Sequence, residues 1–199
     1  MKSTKAFILG ALVIVMSIVI IGISVSYSYY INIVEEVNSA NQGVSVTSGE
    51  LTMNFSTSQY ISASAAGLIK DADILTKADY TAFSISLPSD ADANSALYSL
   101  YLTDTSMTSN FKSSYLKWAL YNGTTKVADG DFNSVTLSNE SNGVYQASDI
   151  TLLNNVSIAK GNTTSYKLYV WLGYSETENQ NSLLEGSLST KVGFRAVTQ

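Results

Sequence analysis

The chain has 199 residues, 16 acidic against 11 basic, with no histidine and no cysteine. That inventory excludes disulfides, thiolate or imidazole metal sites and any catalytic triad that relies on an imidazole base. A net charge of −5 without a basic cluster also disfavours nucleic acid as a partner, because a phosphate backbone would be repelled.

Only 14% of the residues are charged while 45% are hydrophobic, against about a quarter charged in ordinary globular chains. Asn, Ser and Thr supply the polarity instead, a composition that suits the exposed strand faces and turns of secreted β proteins.

The run 6–25 is apolar and uncharged, and its twenty residues would span about 30 Å as a helix, the thickness of a hydrocarbon core. Lys2 and Lys5 precede it and Glu35 and Glu36 follow, so the positive-inside rule sends the remainder of the chain across the membrane. Two fates fit. Ser24-Val25-Ser26 offers a small-x-small signal cleavage site before Tyr27, whereas the length of the apolar run suits a retained anchor. Residues 1–26 are therefore read as a signal peptide or signal anchor. Within the stretch 27–47, an extended spacer, Tyr27, Tyr29, Ile31 and Ile33 alternate with Ser28, Tyr30 and Asn32. Period-2 alternation marks a strand free to pair with another sheet edge. The competing reading is a helix continuing out of the membrane, with Ile31, Val34 and Val37 on one face.

Residues 48–199 are expected to form one domain. Short alternating runs at 44–46 and 51–55 flank Ser48-Gly49. Residues 56–78 are less regular and read as a loop with one helical turn. Further strands are expected at 80–87, 96–102 and 115–121, then at 124–128 after Asn122-Gly123, a strong hairpin signal. Asp129-Gly130 reads as a second turn, before strands at 132–137, 150–153, 165–172 and 187–196. Many short strands with little helical periodicity predict an all-β, antiparallel β-sandwich or jelly-roll-like domain. The expected core comprises Leu51, Met53, Phe83, Ile85, Leu100, Leu102, Trp118, Leu120, Leu168, Val170, Leu172 and Val192.

The order of signals resembles the TasA/camelysin-like surface proteins. After the apolar N-terminus comes a small-Gly-x-Leu-x-apolar strand, Ser48-Gly49-Glu50-Leu51-Thr52-Met53. A strand entered through a glycine turn follows near the end, from Ile158 through Gly161 and Tyr166 to Val170. Asn179-Gln180, Gly186 and a last strand close the layout. Lys77-Ala78-Asp79 stands where that family commonly has a Pro-Gly-Asp type turn. The resemblance implies a jelly-roll-like domain, secretion and, in several members, matrix fibres built by donation of an N-terminal strand. A metalloprotease-like activity described in the camelysin branch does not transfer, because this chain has no His-Glu-x-x-His motif.

Other motifs have bland readings. Asp71-Ala72-Asp73, Asp129-Gly130-Asp131 and Asp90, Asp92, Asn94 could offer calcium oxygen ligands. The last set matches positions 1, 3 and 5 of an EF-hand loop, yet Ser95 replaces the required Gly and Tyr101 the bidentate Glu. Turn capping explains all three. Asn-x-Ser/Thr acceptors begin at Asn54, Asn122, Asn139, Asn155 and Asn162, and a chain this rich in those residues acquires several by composition. Trp118, Trp171 and the tyrosines could stack on sugar rings, although both tryptophans lie in alternating strands expected to be buried. The expectation is thus a non-enzymatic cell-surface or extracellular structural protein without catalytic residues or cofactors. It is tied to the membrane by its N-terminus or secreted, and polymerises with copies of itself through Tyr27, Tyr29, Ile31 and Ile33. The alternative is a monomeric anchored module recognising a glycan or another surface protein.

Overall fold

The computed structural model describes residues 45–64 and 67–198. Thirteen strands appear among these residues: β1 (Ser45–Ser48), β2 (Leu51–Phe55), β3 (Tyr60–Ser64), β4 (Leu68–Ile69), β5 (Tyr80–Ser86), β6 (Ser95–Thr108) and β7 (Leu116–Asn122) come first. β8 (Thr125–Asp131), β9 (Leu137–Ser141), β10 (Val144–Ala147), β11 (Ile150–Ala159), β12 (Thr163–Gly173) and β13 (Ser187–Thr198) follow. A 3-10 turn at Asp71–Asp73 runs into a single helical turn, α1 (Ile74–Lys77). The predicted membrane segment and the ribbon 27–33 lie outside the described residues. Among those described, no helix is long and apolar enough to cross a membrane.

The strands form two sheets in a sandwich. One has the order β1-β2-β5-β12-β7-β8, with β4 pairing in parallel to the far end of β12; the other runs β3-β13-β6-β10-β9, with β11 also on β6. Long strands alternate between the sheets along the chain. β2, β5, β7 and β12 belong to the first, and β3, β6, β11 and β13 to the second. Successive long strands are therefore joined across the sandwich, and hairpins within a sheet are confined to β1–β2, β7–β8 and β9–β10.

Every predicted core position is buried, in one cluster fed by both sheets. Alternation is the cause: β5 reads exposed-buried over Tyr80–Ser86 with Thr81, Phe83 and Ile85 turned inward. Phe55, Phe83 and Tyr166 stand in register across three strands, with ring centroids 5.7 and 5.6 Å apart, a spacing at which aromatic pairs add to plain burial. The Tyr166 hydroxyl then crosses the sandwich to the Tyr98 hydroxyl on β6 at 2.6 Å. A smaller cluster on the outer face of the first sheet, of Ala119, Tyr169 and Trp171, is roofed by Ile74 of α1.

Four expectations need correcting. Asp129-Gly130 is not a turn but part of β8, where Gly130 pairs with Trp118. A Cβ on Gly130 would lie 2.8 Å from the indole, so glycine there permits a close approach rather than a bend. The segment 132–137 is a loop up to Leu137, folded back by the Asn133 N–H donating to Asp131 and plugging Phe132 and Val135 into the core. The stretch 56–78 contains the expected helical turn but also strands β3 and β4. The hairpin at Asn122-Gly123 forms one residue later: Asn122 pairs with Thr125, and Gly123, at φ +61°, leads the two-residue turn.

Candidate functional site

A sandwich that joins other chains does so through its free edges, since each presents unpaired N–H and C=O groups. Among the described residues the outermost strands are β1 and β8 of one sheet and β3 and β9 of the other, with β11 free along its outer side. β8 carries Lys126, Asp129 and Asp131, and β9 carries Glu140, charges that discourage a further strand. β3, with Tyr60-Ile61-Ser62-Ala63-Ser64, carries none. It also differs in what it faces. A cleft of about 550 Å³ separates β3 from β4, the start of β5 and the end of β12. Ile61, Leu68 and Leu172 supply apolar lining, and Tyr60, Tyr80 and Asp79 polar groups.

The two tyrosines are half exposed, at 42% and 45%. Each ring is held by a lysine: Lys191 Nζ lies 4.8 Å from the Tyr60 centroid, and Lys167 Nζ lies 4.6 Å from that of Tyr80. Lys191 also donates to Asp104 Oδ2 at 3.2 Å. The adjacent Tyr60 phenol, ahead of the Asp104 carboxylate, holds the Lys191 ammonium above its usual pKa against the opposing effect of burial. Each rim tyrosine is thus covered by a lysine, of which Lys191 is paired with Asp104, while the lining is uncharged except for Lys77 and Asp79. Lys77 is itself engaged by Asp73 at 2.8 Å.

The remaining sequence-predicted residues are scattered. Tyr27, Tyr29, Ile31 and Ile33 lie outside the described residues. Asp90, Asp92 and Asn94 are exposed in the β5–β6 loop. The backbone N–H groups of Asp92 and Ala93 donate to the Glu50 carboxylate at 2.9 and 3.0 Å, so the loop is organised around an internal carboxylate. Asp71 accepts from Lys117 at 2.7 Å and from the Trp171 indole at 3.2 Å, and Asp129 from Lys126 at 3.1 Å. Among the described residues no group of three or more acidic side chains could hold a metal ion. Both tryptophans are only 5% exposed and closed to a sugar ring; among the described residues the exposed aromatic rings belong to Tyr60, Tyr80 and Tyr174.

Sequence reading missed the β3 edge and its cleft. Its signal was present, since Ile61 and Ala63 alternate with Ser62 and Ser64, but Ala and Ser differ too little to stand out. The hairpin at Asn142-Gly143 is a further element legible in the sequence: both residues have positive φ, +53° and +79°, between paired Ser141 and Val144.

No family model and no curated protein matches the chain. Among solved structures, the secreted serine protease VesC from Vibrio cholerae aligns over 72% of this chain and 24% of its own, at 7% identity and a TM-score of 0.27. A β-glucosidase from Kluyveromyces marxianus in complex with glucose aligns over 59% of this chain and 12% of its own, at 11% identity and a TM-score of 0.22. The chain thus spans about a quarter or less of these proteins, and likeness this slight assigns neither fold nor chemistry.

Proposed function

We propose that this chain is a non-enzymatic extracellular structural subunit. Its N-terminal segment delivers it across the membrane, and its N-terminal ribbon polymerises it by adding to the sheet of a neighbouring copy. The observation that carries the reading is the uncharged β3 edge above a partly apolar cleft, in a domain whose β8 and β9 edges bear charges. A ribbon alternating Tyr27, Tyr29, Ile31 and Ile33 with polar residues is the complementary partner. Its backbone would complete the β3 ladder, and alternate side chains would enter the cleft and set the register. The resemblance to TasA/camelysin-like proteins supports the same reading. So does the lack of His and Cys, which removes the side chains most used in acid–base and nucleophilic chemistry.

The test is direct. Native protein released from the cell surface should form fibres by negative-stain microscopy, and an intact mass beginning at Tyr27 would mark a cleaved signal. Replacing Ile31 and Ile33 by Asp should leave the domain folded, with unchanged circular dichroism, yet abolish the fibres. Fibres persisting in that variant would overturn the strand-donor mechanism. A second reading, an anchored monomer that binds glycans, draws on the half-exposed Tyr60 and Tyr80 beside the same cleft. It predicts full-length protein in the membrane fraction, no fibres, and saturable oligosaccharide binding lost in Tyr60→Ala.

A further inference from the structure

The five Asn-x-Ser/Thr acceptors are all exposed: Asn54, Asn122, Asn139, Asn155 and Asn162. Their amide side chains take part in no hydrogen bond found among the described residues, whereas Asn110, Asn154 and Asn179 use theirs to tie down local structure. Their placement is uneven. Asn139 lies on β9 and Asn155 on β11, each at φ +51° beside a break in the strand register that turns the residue out of the ladder. Asn122 sits at the tip of the hairpin that opens β8. Among the described residues β8, β9 and β11 each pair on one side only, and β11 packs against β8. Three acceptors therefore mark the edge of the sandwich remote from β3. β3 and its cleft contain none.

We propose that Asn139 and Asn155, with Asn122, are N-glycosylation sites that block one edge of the sandwich and leave the β3 edge open for assembly. The proposal rests on the export reading above, since the transfer takes place beyond the membrane. The donor would be a lipid-linked oligosaccharide diphosphate. The amide Nδ2 attacks the anomeric carbon, the C–N bond forms as the C–O bond to the diphosphate breaks, and the displaced amide proton passes to a base of the membrane transferase. Physically, a bulky hydrated glycan on an edge strand performs the task that lysine or proline performs elsewhere, keeping a second strand from pairing. The need is greatest on β11: Ile150–Ala159 contains no charged residue, unlike β8 and β9.

The experiment is peptide mass mapping of the protein isolated from the surface of its source cells, together with Asn139→Gln and Asn155→Gln variants expressed in the same cells. The expected result is a hexose- or hexosamine-containing mass increment on the peptides holding Asn139 and Asn155. One increment should disappear per substitution, and the double variant should bundle laterally where the parent does not. Exported protein with bare asparagines overturns this proposal alone. Protein recovered only from the cytoplasm overturns both it and the export reading.

Discussion

Tyr98 and Tyr166 link the two sheets through a hydrogen bond between buried hydroxyls. Burial, its first cause, raises both phenol pKa values, and each hydroxyl therefore stays protonated well past the range of a free tyrosine. Removing the Tyr98 hydroxyl strands that of Tyr166, which costs about 1–3 kcal/mol, whereas removing both leaves nothing unsatisfied between them. Tyr98→Phe alone should lower stability by about that amount in urea unfolding. The double replacement of Tyr98 and Tyr166 by Phe should cost less than the sum of the singles. Additive losses would mean that the hydroxyls are satisfied independently. Two glycines make a complementary test of close packing. A Cβ on Gly186 would fall 1.7 Å from the ring of fully buried Phe111, and one on Gly130 2.8 Å from the exterior of the Trp118 indole. Overpacking typically costs about 1–3 kcal/mol, so Gly130→Ala should fall in that range and Gly186→Ala at or beyond its upper end. Equal midpoints for the two variants in thermal melts would contradict the packing described.

The strands change phase at bulges, which is where sequence reading lost them. In β6 the even positions from Ala96 to Leu102 face inward. Asp104, at φ +49°, then inserts an extra residue opposite Thr190, after which Thr105 and Met107 face inward. Alternation read along the chain stops at Leu102, and so did the expected strand. The buried Thr105 and Thr190 hydroxyls meet at 2.7 Å, which satisfies the polar groups that the bulge brings inside. β11 has a similar break at Asn154-Asn155. There the Ser99 hydroxyl donates to Asn154 Oδ1 at 3.0 Å and accepts from the Asn155 N–H at 2.9 Å. Ser99→Ala should cost about 1–2 kcal/mol, because it leaves a backbone donor without its partner. In amide exchange, Asn155 should lose protection while the centre of β12 keeps it. Unchanged protection at Asn155 would show that the bulge stands without the serine.

At the scale of the whole molecule, α1 and its leading turn form a strap over the outer face of the first sheet, pinned by Asp71. The hydrogen bond from Lys117, ahead of that from the Trp171 indole, holds the Asp71 carboxyl below its usual pKa against the opposing effect of burial. A depressed folded-state pKa adds stability above the unfolded value of about 3.9 and loses it as pH falls below. The wild-type melting temperature should therefore drop between about pH 4 and pH 2. Asp71→Asn should start lower at pH 7 and lose less across that acid window; parallel profiles would remove Asp71 from the acid response. Composition and alternation by themselves determined the all-β class, the inward faces of the main strands and every expected core position, because burial of alternate side chains is a local property of an extended chain. Only the tertiary structure decided which edges stay open, that Gly130 serves an indole rather than a turn, and that β3 stands over a cleft. Those outcomes depend on long strands crossing between two sheets, and on contacts between residues far apart in the chain that no local pattern records.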